Sequence, residues 1–235
     1  YNMYLISLNM KYKPVYGWSE AELDSHMLTN NEWGAVTYLS KSQYGANEEI
    51  WNNSYVGFIT GCSGTSPNDT EQTECEPYNS TYGLKASTTH NIYGVYDMSG
   101  GAWENVMDNF NYEVGSSGFD TGEILLISSK HLKQYYTSPE DLHDGYGVNY
   151  DLTFYGDSVY EVSASAYRHS PVNSIGGTSN SWYYNRSNLP WLPSYPWFAR
   201  GGYWLNSTTA GVFGFYRSAG HAHWTYSFRP VLSPL

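Results

Sequence analysis

Two cysteines and seven histidines are the side chains best suited to covalent or metal chemistry in this chain, and their spacing restricts both. Cys62 and Cys75 flank the polar stretch SGTSPNDTEQTE, with no histidine beside either, which is unlike a zinc-site spacing. A disulfide between them would close a loop worth about 3 kcal/mol by chain entropy; two free thiols are the alternative. No histidine pair forms an HxxxH or HExxH pattern. His221 and His223 would share one face of a strand and could grip a metal, but no acidic partner lies near them in sequence. The densest chemistry lies between Trp197 and Leu232, in WFARGGYWLNSTTAGVFGFYRSAGHAHWTYSFRPVL. RGG, AGVFGF and SFRPVL read as structural punctuation. Between them fall Tyr203, Trp204, Leu205, Asn206 and Ser207; then Tyr216, Arg217 and Ser218; then His221, His223, Trp224, Thr225 and Tyr226. These clusters have no hydrophobic period. Rigid aromatic anchors mixed with adaptable hydrogen-bonding groups suit a binding surface; packing beneath the long irregular segment is the alternative for Trp204, Tyr216 and Trp224.

The surrounding chain must supply a scaffold. Its 235 residues suffice for a sizeable core and read as one domain, 1–235, without tandem repeat or clear linker. Aromatic residues dominate its apolar content, with 25 Tyr and 9 Trp, while charged residues are only 14%. The formal charge of −11 argues against a nucleic-acid partner and against anionic membrane surfaces, because no basic stripe exists to meet phosphates. No apolar run is long enough to span a bilayer. Low charge with abundant Gly, Ser, Asn and Tyr suggests a loop-rich extracellular protein, and a start at Tyr1 without Met suggests a mature or trimmed fragment.

Capping-box patterns at Ser19–Glu22 and Thr29–Glu32 predict two early helices. The first is a short turn through Leu23; the second carries Trp33, Val36 and Leu39 on one face and ends by Gly45. Short apolar runs at 55–59, 92–96 and 212–215 predict strands. From 128 to 195 periodicity is weak, apart from a short helix expected near 139–142. The proline-rich run 190–197 reads as rigid and extended.

Asn91 to Asp108 reads NIYGVYDMSGGAWENVMD. This resembles the signature of the formylglycine-generating-enzyme branch of the C-type lectin fold, whose usual form is N-x-[FY]-G-[LV]-Y-D-M-x-G-N-[VA]-W-E-W. TNNEW at 29–33 resembles the same family's T-N-x-E-[WYF], and the RGG…SFRPVL ending resembles its RGGSW…GFR. Three motifs in order imply an α+β, loop-rich C-type lectin fold with short strands and about two helices. In such a motif Gly94, Gly100 and Gly101 permit turns that a Cβ would block, and Val95, Met98 and Trp103 supply core area. Asp97, Gly100, Ala102 and Glu104 match the positions that hold a structural calcium ion in the family's enzymes, a loop rich in the oxygen ligands Ca²⁺ requires. Asp97 and Glu104 merely capping turns is the alternative.

Catalysis is not expected. In the family's oxidases reactive cysteines lie near the C-terminal motif, one just after the FR. Here Phe228-Arg229 runs into Pro230-Val231-Leu232 with no cysteine beyond position 75, so no thiolate is placed to bind copper or cycle redox state, and no catalytic cofactor is implied. The chain most closely resembles the variable proteins of diversity-generating retroelements, in which a C-terminal segment is rewritten at adenine-containing codons within a constant lectin frame. The resemblance implies a variable ligand-binding region at 197–232, made of the three clusters above. Arg200, Gly201, Gly202, Ala210 to Phe213, Gly220, Ala222, Phe228 and Arg229 would be the frame, with Arg229 bonded to buried carbonyls. It further implies display on a bacterial cell surface or phage virion and a protein or glycan partner on another cell. A fixed-specificity adhesin or carbohydrate-binding module, and a degenerate oxidase, are the alternatives.

Overall fold

A computed structural model describes residues 1–53, 77–135, 185–186 and 193–235. Cys62, Cys75, the expected strand at 55–59 and the expected helix near 139–142 lie outside these residues. The described chain is α+β and loop-rich, with three α-helices and two small sheets. The helices are α1 (Asn2–Leu8), α2 (Asn30–Lys41) and α3 (Thr121–Leu126), and the first five strands are β1 (Leu23–Met27), β2 (Trp103–Phe110), β3 (Lys133–Tyr135), β4 (Trp197–Arg200) and β5 (Phe215–Ser218). Two further strands, β6 (Tyr226–Phe228) and β7 (Pro230–Pro234), complete the set. Among the described residues, no helix is long and apolar enough to cross a membrane.

Strand β2, buried along its whole length, is the spine. One edge pairs antiparallel with β4, which pairs in turn with β5. The other edge is shared: β6 runs parallel over Trp103–Asn105, the Leu28 carbonyl accepts from the Met107 N–H at 2.9 Å, and β3 runs parallel over Asp108–Phe110. Side chains alternate across a strand, so the sheet separates two cores. Val106 and Phe198 join Trp33, Met98, Val212, Phe213 and Phe215 on one face. Met107 and Trp197 join Phe119, Ile124 and Leu132 on the other. α2 covers the first face through Trp33, and α3 the second through Ile124.

The second sheet is the antiparallel pair β1–β7. The last strands link the sheets: the chain leaves β6, passes Arg229 and enters β7, and at that crossing Leu28 N–H donates to the Arg229 carbonyl at 2.9 Å. Pro230 follows where no ladder donor is required.

Helix α2 begins as its sequence dictates. Thr29 Oγ1 accepts from Glu32 N–H, and Glu32 Oε2 accepts from Thr29 N–H at 2.9 Å, the reciprocal capping box. Thr29→Ala is expected to lower the unfolding free energy by about 1 kcal/mol; a urea midpoint indistinguishable from wild type would show that tertiary packing alone sets this helix start. The buried face differs from the expected one. It consists of Asn30, Trp33, Gly34, Thr37 and Ser40, whereas Val36 is only partly buried and Leu39 is exposed. The helix is rotated so that Thr37 and Ser40, each satisfied by a backbone carbonyl within the helix, face inward.

Several other expectations are corrected. The Ser19 pattern gives a hydrogen-bonded turn, Glu22 N–H to Ser19 carbonyl at 3.1 Å, and Leu23 then enters β1 because β7 offers it a ladder. Residues 92–96 form turns with an isolated bridge from Tyr96 to Ser87, not a strand. Strand β5 begins only at Phe215, since Gly211 to Gly214 form a turn closed by Gly214 N–H to the Gly211 carbonyl. Of the proline-rich run, residues 193–195 form a turn and bend, and Trp197 starts β4. Helices α1 and α3 were not expected. The second has its own capping box, with Asp120 and Glu123 at the spacing that marks α2.

Candidate ligand-binding face

The glycine-rich loop that opens β2 is docked onto the RGG segment. Gly100 N–H donates to the Gly201 carbonyl at 2.9 Å, and Trp204 N–H to the Gly101 carbonyl at 3.0 Å. Gly100 has φ +79°, and a Cβ there would stand 2.3 Å from the Asn53 carbonyl oxygen. Only glycine fits this approach. Asp97, also left-handed at φ +60°, accepts from Asn53 Nδ2 at 2.7 Å. Of the four residues expected at calcium, Asp97 and Gly100 thus fix turns, and Ala102 leads into β2. The fourth, Glu104, is 5% exposed and directs both carboxylate oxygens at the Arg229 guanidinium. Burial pushes the Glu104 carboxyl up, and the Arg229 charge opposes it. Arg229 therefore does hold the frame, through a carboxylate rather than through the carbonyls expected.

From this frame the three C-terminal clusters converge. Trp103, buried at the start of β2, is the floor: Tyr216 stacks on it at 5.4 Å between centroids and Tyr203 at 6.4 Å. The Arg186 guanidinium lies 4.6 Å from the Tyr216 ring, and that of Arg217 5.1 Å from the Tyr195 ring. A second row continues outward. Trp204 lies 6.4 Å from Trp224, Trp224 lies 5.3 Å from His223, and His221 and Tyr226 approach His223 edge-on at 5.8 and 5.9 Å. Burial pushes the Tyr226 phenol up, and a side-chain hydrogen bond with Ser218 opposes the rise. Tyr203, Trp204, Tyr216, Arg217, His221, His223, Trp224 and Tyr226 thus form a patch of ring-bearing side chains with imidazole and guanidinium groups. It can grip a ligand by flat apolar contact, cation–π attraction and hydrogen bonding.

Individual placements divide the clusters. Leu205, His221, His223 and Trp224 are exposed, with Trp224 at 58%. Tyr203, Trp204, Tyr216, Arg217 and Tyr226 are half-buried, each with part of its side chain at the surface. Three residues expected to be displayed are buried instead. Asn206 Oδ1 accepts from Tyr203 N–H at 3.0 Å, Ser218 Oγ accepts from Gly220 N–H at 3.0 Å, and Thr225 Oγ1 bonds His223 Nδ1 at 2.7 Å. Asn206 and Ser218 close turns that would otherwise leave amides unpaired, and Thr225 engages a ring nitrogen. The side chain of Ser207 lies outside the described residues. His221 and His223 sit in the loop before β6, not on a strand, and their rings meet edge to face. Of the expected frame, Arg200, Gly201, Gly202 and Ala210 to Phe213 are buried, Gly220, Phe228 and Arg229 are half-buried, and Ala222 is exposed. Arg200 lies between Trp33 and Phe215, its guanidinium 5.9 and 5.3 Å from their rings.

A second constellation escaped sequence reasoning. Asp24, His26 and His131 bring ligand-type atoms within 4.8 Å of one another. The alternation of Asp24 and His26 in LDSHM was a visible signal, but His131 is distant in sequence.

No protein-family model matches the chain, and no curated protein matches it either.

Proposed function

We propose that this chain is a non-enzymatic binding protein of the formylglycine-generating-enzyme type of C-type lectin fold, whose C-terminal face is diversified by a retroelement. What supports the reading is the segregation within residues 197–226. The motif residues Arg200, Gly201, Gly202, Ala210, Val212 and Phe213 are buried, and most of the residues between them reach the surface in one contiguous patch. A surface that can be rewritten without disturbing the core requires that separation. The buried exceptions Asn206, Ser218 and Thr225 narrow the variable set to Tyr203, Trp204, Leu205, Ser207, Tyr216, Arg217, His221, His223, Trp224 and Tyr226. The partner is a protein or glycan on another cell, met outside the cell from a bacterial envelope or phage particle.

The DNA beside the coding sequence tests the diversification: a template repeat and a reverse-transcriptase gene are expected, with adenines in the template codons that correspond to those ten positions. Unbiased codons and no such gene would leave a fixed-specificity adhesin as the reading. The binding role is tested separately with a glycan array and a panel of immobilised bacterial envelope proteins. For a partner found there, Trp224→Ala is expected to weaken affinity about 30-fold, near 2 kcal/mol for a hot-spot aromatic. The melting temperature should not move, because that ring is mostly in solvent. Affinity unaltered by both Trp224→Ala and His221→Ala would place the ligand elsewhere on the molecule.

A further inference from the structure

Strand β1, the start of α2 and the turn after α3 meet at a buried charged cluster that the ligand-binding reading does not use. Asp24 and His26, two apart on β1, project to the same side, and both are buried. His131 is held in a turn closed by its own N–H to the Ser128 carbonyl at 2.8 Å, with Leu132 anchored in the core beside it. A single oxygen, Asp24 Oδ2, lies 3.1 Å from His26 Nδ1, 2.8 Å from His131 Nε2 and 3.0 Å from Lys130 Nζ. The two imidazoles stack at 4.7 Å, only 16° from parallel.

We propose that Asp24 Oδ2, His26 Nδ1 and His131 Nε2 bind a divalent transition-metal ion of the zinc type, with Glu32 orienting His26 from behind. Two imidazoles and one carboxylate form a donor set that zinc accepts, with water completing the shell. His26 Nδ1 gives the second, independent indication. The ring is 2% exposed, and this nitrogen makes no hydrogen bond of acceptable geometry although Asp24 is close. It lies within 4.8 Å of the two other donor atoms. On the far side of the ring, His26 Nε2 meets Glu32 Oε1 at 2.8 Å. A carboxylate there fixes the Nε2–H tautomer and leaves the Nδ1 lone pair facing the site, the arrangement that commonly backs metal-bound histidine. Glu32 is itself fixed by the Thr29 capping box, so the start of α2 sets the orientation of the His26 ring. Lys130, 58% exposed, occupies the solvent side of Asp24 Oδ2 and would give way to an entering ion.

The test uses metal-stripped protein titrated with Zn²⁺ by calorimetry and with Co²⁺ by visible absorption. A single ion is expected, giving the strong ligand-field bands of four-coordinate cobalt. Glu32→Gln keeps the capping box but removes the charge behind His26, and should weaken affinity about 10–100-fold. His131→Ala should weaken it further, and Lys130→Met should strengthen it by removing a competing ammonium. A His221→Ala/His223→Ala double variant should bind as wild type. Failure of the wild type to take up either ion, or binding lost in the double variant and kept in Glu32→Gln and His131→Ala, would overturn the assignment. The test involves no macromolecular partner, so its outcome is separate from that of the ligand-binding reading.

Discussion

Replacing Arg229 with methionine is expected to lower the unfolding free energy by about 3–5 kcal/mol, the range for removing one partner of a buried ion pair. Burial decides the size: an exposed pair of the same geometry would contribute only about 0–1 kcal/mol. Glu104 lies inside β2 with 5% of its surface exposed, and both its oxygens face the Arg229 guanidinium. Without that cation the carboxylate keeps its desolvation penalty and loses its compensation. Lysine at 229 should recover only part of the loss, because a point charge cannot reproduce a fork addressed to two oxygens.

The loss should also depend on pH in a defined direction. Burial raises the Glu104 carboxyl, Asp97 adds to the rise, and Arg229 is what opposes both. In Arg229→Met the folded-state value therefore climbs further above the unfolded one. An acid raised in this way destabilises the fold once both states are ionised and has no such effect once both are protonated. The deficit should be largest at neutral pH and should shrink on acidification through the raised value toward the ordinary carboxyl range. Denaturant melts of wild type and variant across that window check the sign; a deficit that grew on acidification would contradict the pairing. Glu104→Gln in the same background should restore much of the stability at neutral pH, since no charge then remains buried.

The second large effect is expected at Trp33. Its side chain is fully buried among Met98, Phe198, Val212, Phe213 and Phe215, and its indole N–H donates to the Val212 carbonyl at 2.7 Å. Trp33→Ala should cost about 3–5 kcal/mol through lost burial and the cavity left behind. For a chain of this size that is a melting-temperature drop of roughly 6–20 °C. Trp33→Phe keeps most of the ring volume but strands the Val212 carbonyl, and should cost about 1–3 kcal/mol. Thermal melts of the two variants separate packing from hydrogen bonding. A Phe variant as unstable as the Ala variant would show that the indole bond, not the filled volume, fixes α2 to the C-terminal frame.

Where the sequence was sufficient, the determining interactions are local. Thr29 and Glu32 are three residues apart, so the α2 capping box was visible without knowledge of any other part of the chain. The Ser19 pattern has the same spacing and does not open a helix, because β7 captures the following residues from some 200 positions away. Trp33 was readable as core, but Leu39 was not readable as exposed, since the rotation of α2 is set by what lies beneath it. The glycines of SGGAWE and RGG signalled left-handed turns; that the two turns bond to each other required the fold.

The sequence by itself determined the α+β, loop-rich character, the helix start at Thr29, the tight turns of the motif loops and a C-terminal region rich in amphipathic rings. Each follows from residue preferences that act over a few positions. Only the tertiary structure decided which of those rings reach solvent. Asn206, Ser218 and Thr225 belong to the same clusters as their displayed neighbours, yet turn inward because nearby amides and a ring nitrogen need partners. It also decided that Glu104 meets Arg229 across 125 positions and that His131 meets Asp24 across 107. Charge pairing depends on distance in space, and chain closure over such separations is set by the packing of whole elements rather than by any local pattern.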